Sequence, residues 1–153
     1  MKIAVAADHA GFPLKGTVIE TVRSLAHAVV DLGTDSTESV DYPDFTAKAG
    51  RSVASGEAER AIVVCGSGVG ACIAGNKIRG VYACLCHDVY SAAQGVEHDR
   101  MNMLCLGARV IGPELAKQIV LSFLEAVPSD APRHLRRVGK IRMIEENEMK
   151  GLP

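Results

Sequence analysis

The feature that most limits how this chain can fold is an alternation along its length. Short, apolar, β-branched runs take turns with longer stretches whose apolar residues recur at helical spacing. Lys2–Ala7 reads as a first strand. Pro13 is placed to open a helix over residues 14–26, where Leu14, Val18, Val22 and Leu25 mark one face. Ala28–Asp31 reads as a second strand closed by Gly33, and the polar residues 34–44, with Pro43, as a loop. A helix over 45–55 ends at Gly56. Residues 61–65, Ala-Ile-Val-Val-Cys, form a continuous apolar strand of the kind buried on both faces. A glycine-rich turn at 66–70 leads into a helix over 71–78. Strands at 81–86 and 103–106, helices at 89–97 and 113–126, a loop at 127–132 and a long charged helix over 133–150 complete the pattern.

Strand–helix alternation of this kind gives a parallel sheet covered by helices on both faces. The expectation is one α/β domain over residues 1–153, a doubly wound five-stranded parallel sheet of Rossmann-like form. Ligands of such sheets bind outside the carboxyl ends of the strands, near the point where strand order reverses. That directs attention to residues 8–13, 33–44, 66–70, 87–88 and 107–112.

Composition excludes several classes. A formal net charge of −1 argues against a mainly electrostatic nucleic-acid or membrane binder. No apolar run approaches the ~20 residues that span a bilayer. The amino-terminal segment lacks the regions of a signal peptide, so cytoplasmic residence is expected. The five cysteines are odd in number and form no CxxC pair, which fits reduced intracellular usage. Cys84-x-Cys86-His87 has no second ligand pair nearby, so no metal site is expected. Cys72, Cys84, Cys86 and Cys105 read as packing residues.

The most informative stretch is Cys65-Gly66-Ser67-Gly68-Val69-Gly70. Alternate glycines let the backbone turn tightly and its N–H groups converge, and the following helix adds the positive end of its dipole. Such a place binds a phosphate or a developing oxyanion. Gly66-x-Gly68-x-x-Ala71 formally fits a dinucleotide fingerprint, with Asp88 downstream, but it falls in the third strand–helix unit and leaves little chain for a catalytic domain. The P-loop pattern fails because Asn76, not Lys, follows Gly75. A thiol at the mouth of this loop is favoured as thiolate. On spacing alone Cys65 reads equally as a nucleophilic or basic sulfur and as the last small residue of a strand.

Asp8, His9, Tyr42, His98 and Arg109 all fall beside strand ends and are expected at the same mouth. Each also has a plainer reading, as cap, surface residue or loop packing. Arg133, His134, Arg136 and Arg137 crowd the start of the last helix, where cations oppose the dipole unless an anion sits among them.

These residues carry a resemblance. The chain resembles the B-type ribose-5-phosphate isomerases and the related galactose-6-phosphate isomerase subunits, from residue 3 to about residue 144. The marks are Ala7-Asp8-His9-Ala10-Gly11-Phe12, Asp41-Tyr42-Pro43, the Cys65–Gly70 run, Asn76-Lys77, His98, Gly107-Ala108-Arg109-Val110-Ile111-Gly112, and Arg133 with Arg137. The resemblance implies an aldose–ketose isomerase of a phosphorylated sugar that needs no cofactor, with ribose 5-phosphate as the default substrate. Cys65 would be the base that moves a proton between C1 and C2. Gly66, Gly68, Val69 and Gly70 would line the anion hole of a cis-enediolate. Ser67 would relay a proton between the sugar oxygens, and His98 would help open the ring. Asp8 would bind hydroxyls, with Tyr42 also in the substrate site. His9, Arg109, Arg133 and Arg137 would hold the phosphate. One branch of the family replaces the cysteine base with a Glu further along the loop. Ala71 here matches the cysteine branch. The family builds its site between two subunits, so a homodimer is implied, with the last helix reaching the partner and a tetramer as the higher assembly. One departure stands out. Asp99 occupies the place of a substrate-contacting Asn, and an acceptor-only carboxylate there favours hydroxyls over phosphate unless Arg100 pairs with it. That leaves open a four- or six-carbon sugar phosphate as substrate. Outside the enzymes, a phosphate- or nucleotide-binding module remains the alternative.

Overall fold

The computed structural model describes residues 1–150. The last three positions of the expected 1–153 domain lie outside the described residues. In chain order the elements are β1 (Lys2–Ala7), α1 (Phe12–Ser24), β2 (Ala28–Asp31), α2 (Tyr42–Ala54), β3 (Arg60–Cys65), α3 (Val69–Gly75), β4 (Ala83–Leu85), α4 (Val89–Asp99), β5 (Met103–Gly107), α5 (Pro113–Glu125) and α6 (Pro132–Glu148). The strands form one parallel sheet in the order β2-β1-β3-β5-β4. This is the expected doubly wound α/β domain.

Burial explains the sequence pattern. The three inner strands β1, β3 and β5 are covered on both sides, which is why they read as unbroken apolar runs. Alternate residues sort into two cores. Ile3, Val5, Ile62, Val64, Leu104 and Leu106 face α1, α4 and α5, where Phe123 is wholly buried. Ala4, Ala6, Ala61, Val63, Met103 and Cys105 face α2 and α3. The smaller residues of the second set let those two helices lie close to the sheet.

Four helices carry proline in their first turn, namely α1, α2, α5 and α6. Proline there sacrifices no hydrogen bond, because the first N–H groups of a helix are unpaired anyway. The expected loops at 34–44 and 127–132 therefore end earlier than their polarity suggested. Pro43 and Pro132 open helices just as Pro13 does, and Tyr42 is the first residue of α2 rather than a loop aromatic.

The helix expected over 71–78 starts and stops sooner, at Val69–Gly75, and the strand expected over 81–86 shrinks to three residues. The chain from Asn76 to Val81 is turned by bonds from Ile78 N–H to Gly75 O and from Val81 N–H to Ile78 O. Asn76 then lays its side-chain amide along β4, donating to Ala83 O at 2.8 Å and accepting from Ala83 N–H at 2.9 Å.

The crossing from α1 to the loop after β2 is held by a buried amine. Lys15 Nζ reaches Asp31 Oδ2 at 2.8 Å and Thr34 O at 2.6 Å, although Asp31 itself is partly open to water. Lys15→Met keeps the apolar stem and deletes the charge. It is expected to lower unfolding stability by roughly 2 kcal/mol, since a buried partner of charged and carbonyl acceptors is lost. A urea midpoint equal to that of the unaltered protein would show that solvent replaces the amine without cost.

Candidate active site

The chain leaves β1 toward β2 on one side and leaves β3 toward β4 on the other, so strand order reverses between β1 and β3. At the carboxyl ends of these strands lies a cleft of about 350 Å³. Its walls include Asp8, His9, Tyr42, Cys65, Gly66, Ser67, Gly70 and Arg109. Ala10 and Val110 complete the lining. Eight residues named from sequence thus meet at the place the topology dictates.

Each is fixed by its element. Asp8 follows the last residue of β1 and is buried, with one carboxylate oxygen accepting Gly11 N–H at 2.8 Å. It therefore does help start α1, as the plainer reading held, while still facing the cleft. His9 Nδ1 lies 3.1 Å from Val40 O, which ties the 33–41 loop to the cleft rim. Tyr42 packs its ring directly over Gly70. Arg109 runs its aliphatic stem past Gly66 and is exposed at its head.

Cys65 ends β3 and forms part of the cleft floor, with only 4% of its surface exposed. Its Sγ accepts a hydrogen bond from Gly68 N–H at 3.1 Å. Such a donor stabilises negative charge on sulfur. The turn that brings the amide back needs Gly68, whose φ is 80° and whose Cβ, if present, would strike Leu85 and lie 3.0 Å from the Leu106 carbonyl carbon. Val69 N–H bonds Ser67 Oγ at 3.3 Å. Gly68 and Val69 thus shape the loop from behind the residues that line the cleft. Across the gap, Ala108 N–H and Arg109 N–H donate to Cys65 O at 2.9 Å and Gly66 O at 3.0 Å, so the loop after β5 continues the ladder onto the glycine loop.

A second cavity of about 630 Å³ adjoins the first across His9, Ala10 and Arg109. It lies between the amino-terminal ends of α1 and α5, with Thr17 and Thr37 contributing hydroxyls.

The other four expected site residues are elsewhere. His98 and Asp99 lie at the carboxyl end of α4, and Arg133 and Arg137 lie exposed on α6. α4 has to return the chain from the carboxyl end of β4 to the start of β5. Its eleven residues, about 16 Å long, deliver His98 to the opposite edge of the sheet from Cys65. The expectation that His98 shares a mouth with Asp8 is therefore wrong within one chain. His98 instead stacks on His134, with ring centroids 4.0 Å apart, and its Nδ1 meets Gln94 Nε2 at 2.9 Å. Burial first, then His98 and the Arg133 and Arg137 charges, hold His134 below the ordinary histidine value. Among the described residues its Nδ1 finds no partner. Asp99 borders a groove of about 380 Å³ that also touches Cys84, Ser91 and Ile141. Arg100 does not pair with Asp99. It turns away in a left-handed conformation, φ 60°, and bonds Asp130 at 2.8 Å.

Sequence reasoning missed three features. His134 was read only as part of a basic cluster, yet it shares a buried face with Val138 four residues on, a spacing that was available. His87 falls in the 87–88 loop and in the rejected metal pattern, but its Nε2 in fact accepts Gly107 N–H at 3.1 Å. The cysteines are not uniformly packing residues. Cys84 is exposed, and Cys72 is half-buried and drawn down to about 6, chiefly by a hydrogen bond with the Cys105 thiol. That bond, with burial, pushes Cys105 up.

Comparison with known proteins agrees with this geometry. Residues 3–141 match the family model described as Ribose/Galactose Isomerase. The ribose-5-phosphate isomerase B of Escherichia coli is 41% identical over 145 residues, covering 95% of this chain and 97% of that protein. A D-erythrulose-4-phosphate isomerase of Pectobacterium atrosepticum is 39% identical, covering 82% of this chain and 84% of that protein. Among solved structures, the ribose-5-phosphate isomerase B of Clostridium thermocellum superposes with a TM-score of 0.93 at 44% identity, covering 97% of this chain and 99% of that one. A thiol under a glycine loop at the switch point, and similarity over nearly the whole length, lead to one conclusion: the chain belongs to the ribose/galactose isomerase family.

Proposed function

We propose that the protein interconverts the aldose and ketose forms of a small phosphorylated sugar, with ribose 5-phosphate and ribulose 5-phosphate as the default pair. The observation that carries this reading is Cys65 Sγ at the cleft floor, 3.1 Å from Gly68 N–H. Protons beside a carbonyl are weakly acidic, so isomerisation needs a base and a stabilised oxyanion. The Cys65 thiolate takes the proton from one carbon and returns it to the other, because the enediolate between the two steps is planar. Gly68 N–H is already engaged by sulfur, which leaves the oxyanion to neighbouring amides of the 66–70 loop. Ser67 relays the proton between the two oxygens, and Asp8 accepts from sugar hydroxyls. Arg109 and His9 stand where the cleft opens into the larger cavity, a fitting place for the phosphate.

His98, Arg133 and Arg137 join this site from a second copy of the chain. Within one chain the sheet separates them from Cys65, so ring opening by His98 and phosphate binding by α6 require a homodimer. Exposed Leu135, Ile141, Met143 and Ile144 give α6 apolar surface suited to such burial. A cytoplasmic setting fits five free cysteines, and among the described residues no helix is long and apolar enough to cross a membrane.

A second reading of the substrate rests on Asp99, whose carboxylate has no ion-pair partner in Arg100. It favours a hydroxyl-rich end and a sugar of different length, and one relative is named for erythrulose 4-phosphate. Asp99→Asn is expected to raise kcat/KM for ribose 5-phosphate relative to four-carbon substrates by about tenfold, the size of one hydrogen-bond mismatch. An unmoved ratio would remove Asp99 from specificity. The deciding assay for the function is a panel of four-, five- and six-carbon aldose and ketose phosphates, with Cys65→Ser as control. Binding without turnover across the panel would leave a phosphate-binding module.

A further inference from the structure

We propose that His87 is a positioning residue of the isomerase site, holding through Gly107 the glycine loop and Arg109 in the geometry that turnover needs. The inference rests on the reading of Cys65 as base, and it concerns a residue that lines neither cavity of the site.

The argument starts from the ladder. In a parallel sheet, successive N–H groups of a strand point alternately to its two neighbours. On one side of β5, Ala108 N–H bonds Cys65 O, and beyond it Arg109 N–H reaches Gly66 O. On the other side Gly107 N–H points toward β4, but β4 ends at Leu85 and the chain turns into α4. The ladder runs one bond further, from Cys86 N–H to Cys105 O at 3.3 Å, and Cys86 O does not bond Gly107 N–H. His87 Nε2 takes that place, accepting Gly107 N–H at 3.1 Å. An accepting Nε2 fixes the neutral tautomer with its proton on Nδ1.

Gly107 is also where the two site loops touch. A Cβ built on Gly68 would lie 3.2 Å from Gly107 N, and one built on Gly107 would lie 2.6 Å from Ser67 O. The Gly107 carbonyl accepts Val110 N–H at 2.9 Å and Ile111 N–H at 3.1 Å, which folds the turn that carries Arg109. Gly107 thus backs the amide that serves Cys65 Sγ and holds the turn that carries Arg109 beside the cleft. Without an acceptor at the His87 position, Gly107 N–H must turn toward water, and both loops shift with it.

The test uses His87→Ala, His87→Gln and His87→Asn in the full-length protein, with Cys65→Ser alongside. Glutamine can present an oxygen near the Nε2 position, whereas asparagine reaches only as far as Nδ1. His87→Ala and His87→Asn are expected to lower kcat at least about tenfold and raise KM for ribose 5-phosphate several-fold, because small misplacements of reacting groups carry large rate penalties. His87→Gln is expected to stay within about threefold of the unaltered enzyme. Amide exchange at Gly107 should be fast in the first two and slow in the third. A His87→Ala enzyme with unchanged kcat, or equal losses for Gln and Asn, overturns the proposal. If Cys65→Ser stays active, the assignment of the base fails, and the His87 variants still decide whether the loop needs its acceptor.

Discussion

Cys65→Ser is expected to lower kcat by at least ~100-fold with little change in KM. Serine Oγ can take the place of sulfur and still accept Gly68 N–H, so the loop has no reason to rearrange. What changes is acidity. An alcohol is far less acidic than a thiol, and one hydrogen bond does not bring it into the range where it can act as a base at neutral pH. On the proposed reading, substrate binding rests on other cleft residues, Asp8, His9 and Arg109, and should survive. The measurement is steady-state turnover of ribose 5-phosphate by a variant whose thermal midpoint matches that of the unaltered protein. Turnover within a few-fold would mean that the proton is carried by another cleft group, and Asp8 would be the first to examine.

The second large effect concerns assembly. Cys65→Ser and His98→Ala should each be nearly inactive alone, yet a mixture refolded together should recover about a quarter of normal activity. Random pairing makes half of the dimers mixed. Each mixed dimer has one site with both residues intact and one with neither. This recovery is possible only if Cys65 and His98 act on the same substrate from different chains. A mixture no more active than its components would confine the site to one chain and leave His98 with a structural part, stacked on His134.

Much of the fold is legible in the sequence because burial on both faces leaves a plain trace. The runs at β1, β3 and β5 cannot be read otherwise once helical spacing lies between them. Edges are less legible. β4 starts only at Ala83 because the preceding Tyr82 N–H is taken by the side chain of Asn102, a contact no periodicity records. The cleft is readable as far as residues lie at or just past strand ends, as Asp8, Cys65 and Arg109 do. It failed at His98, where nearness to a strand in sequence was taken for nearness to the site. The start of a parallel strand and its end lie at opposite edges of the sheet, and that distinction was available from the order of elements alone. His87 lay beyond reach for another reason. Its proposed role depends on what Gly107 N–H meets past the end of β4, which becomes visible only when the register of β4 and β5 is known.

The clasp that Asn76 makes on Ala83 has a further consequence. Open sheet borders invite other chains to add strands, a common route to fibres. Here a side-chain amide occupies both the N–H and the C=O of Ala83 on the outer border. Two copies of the molecule therefore have no free template at this point for merging their sheets into one. At this border they have to meet through side chains rather than through backbone.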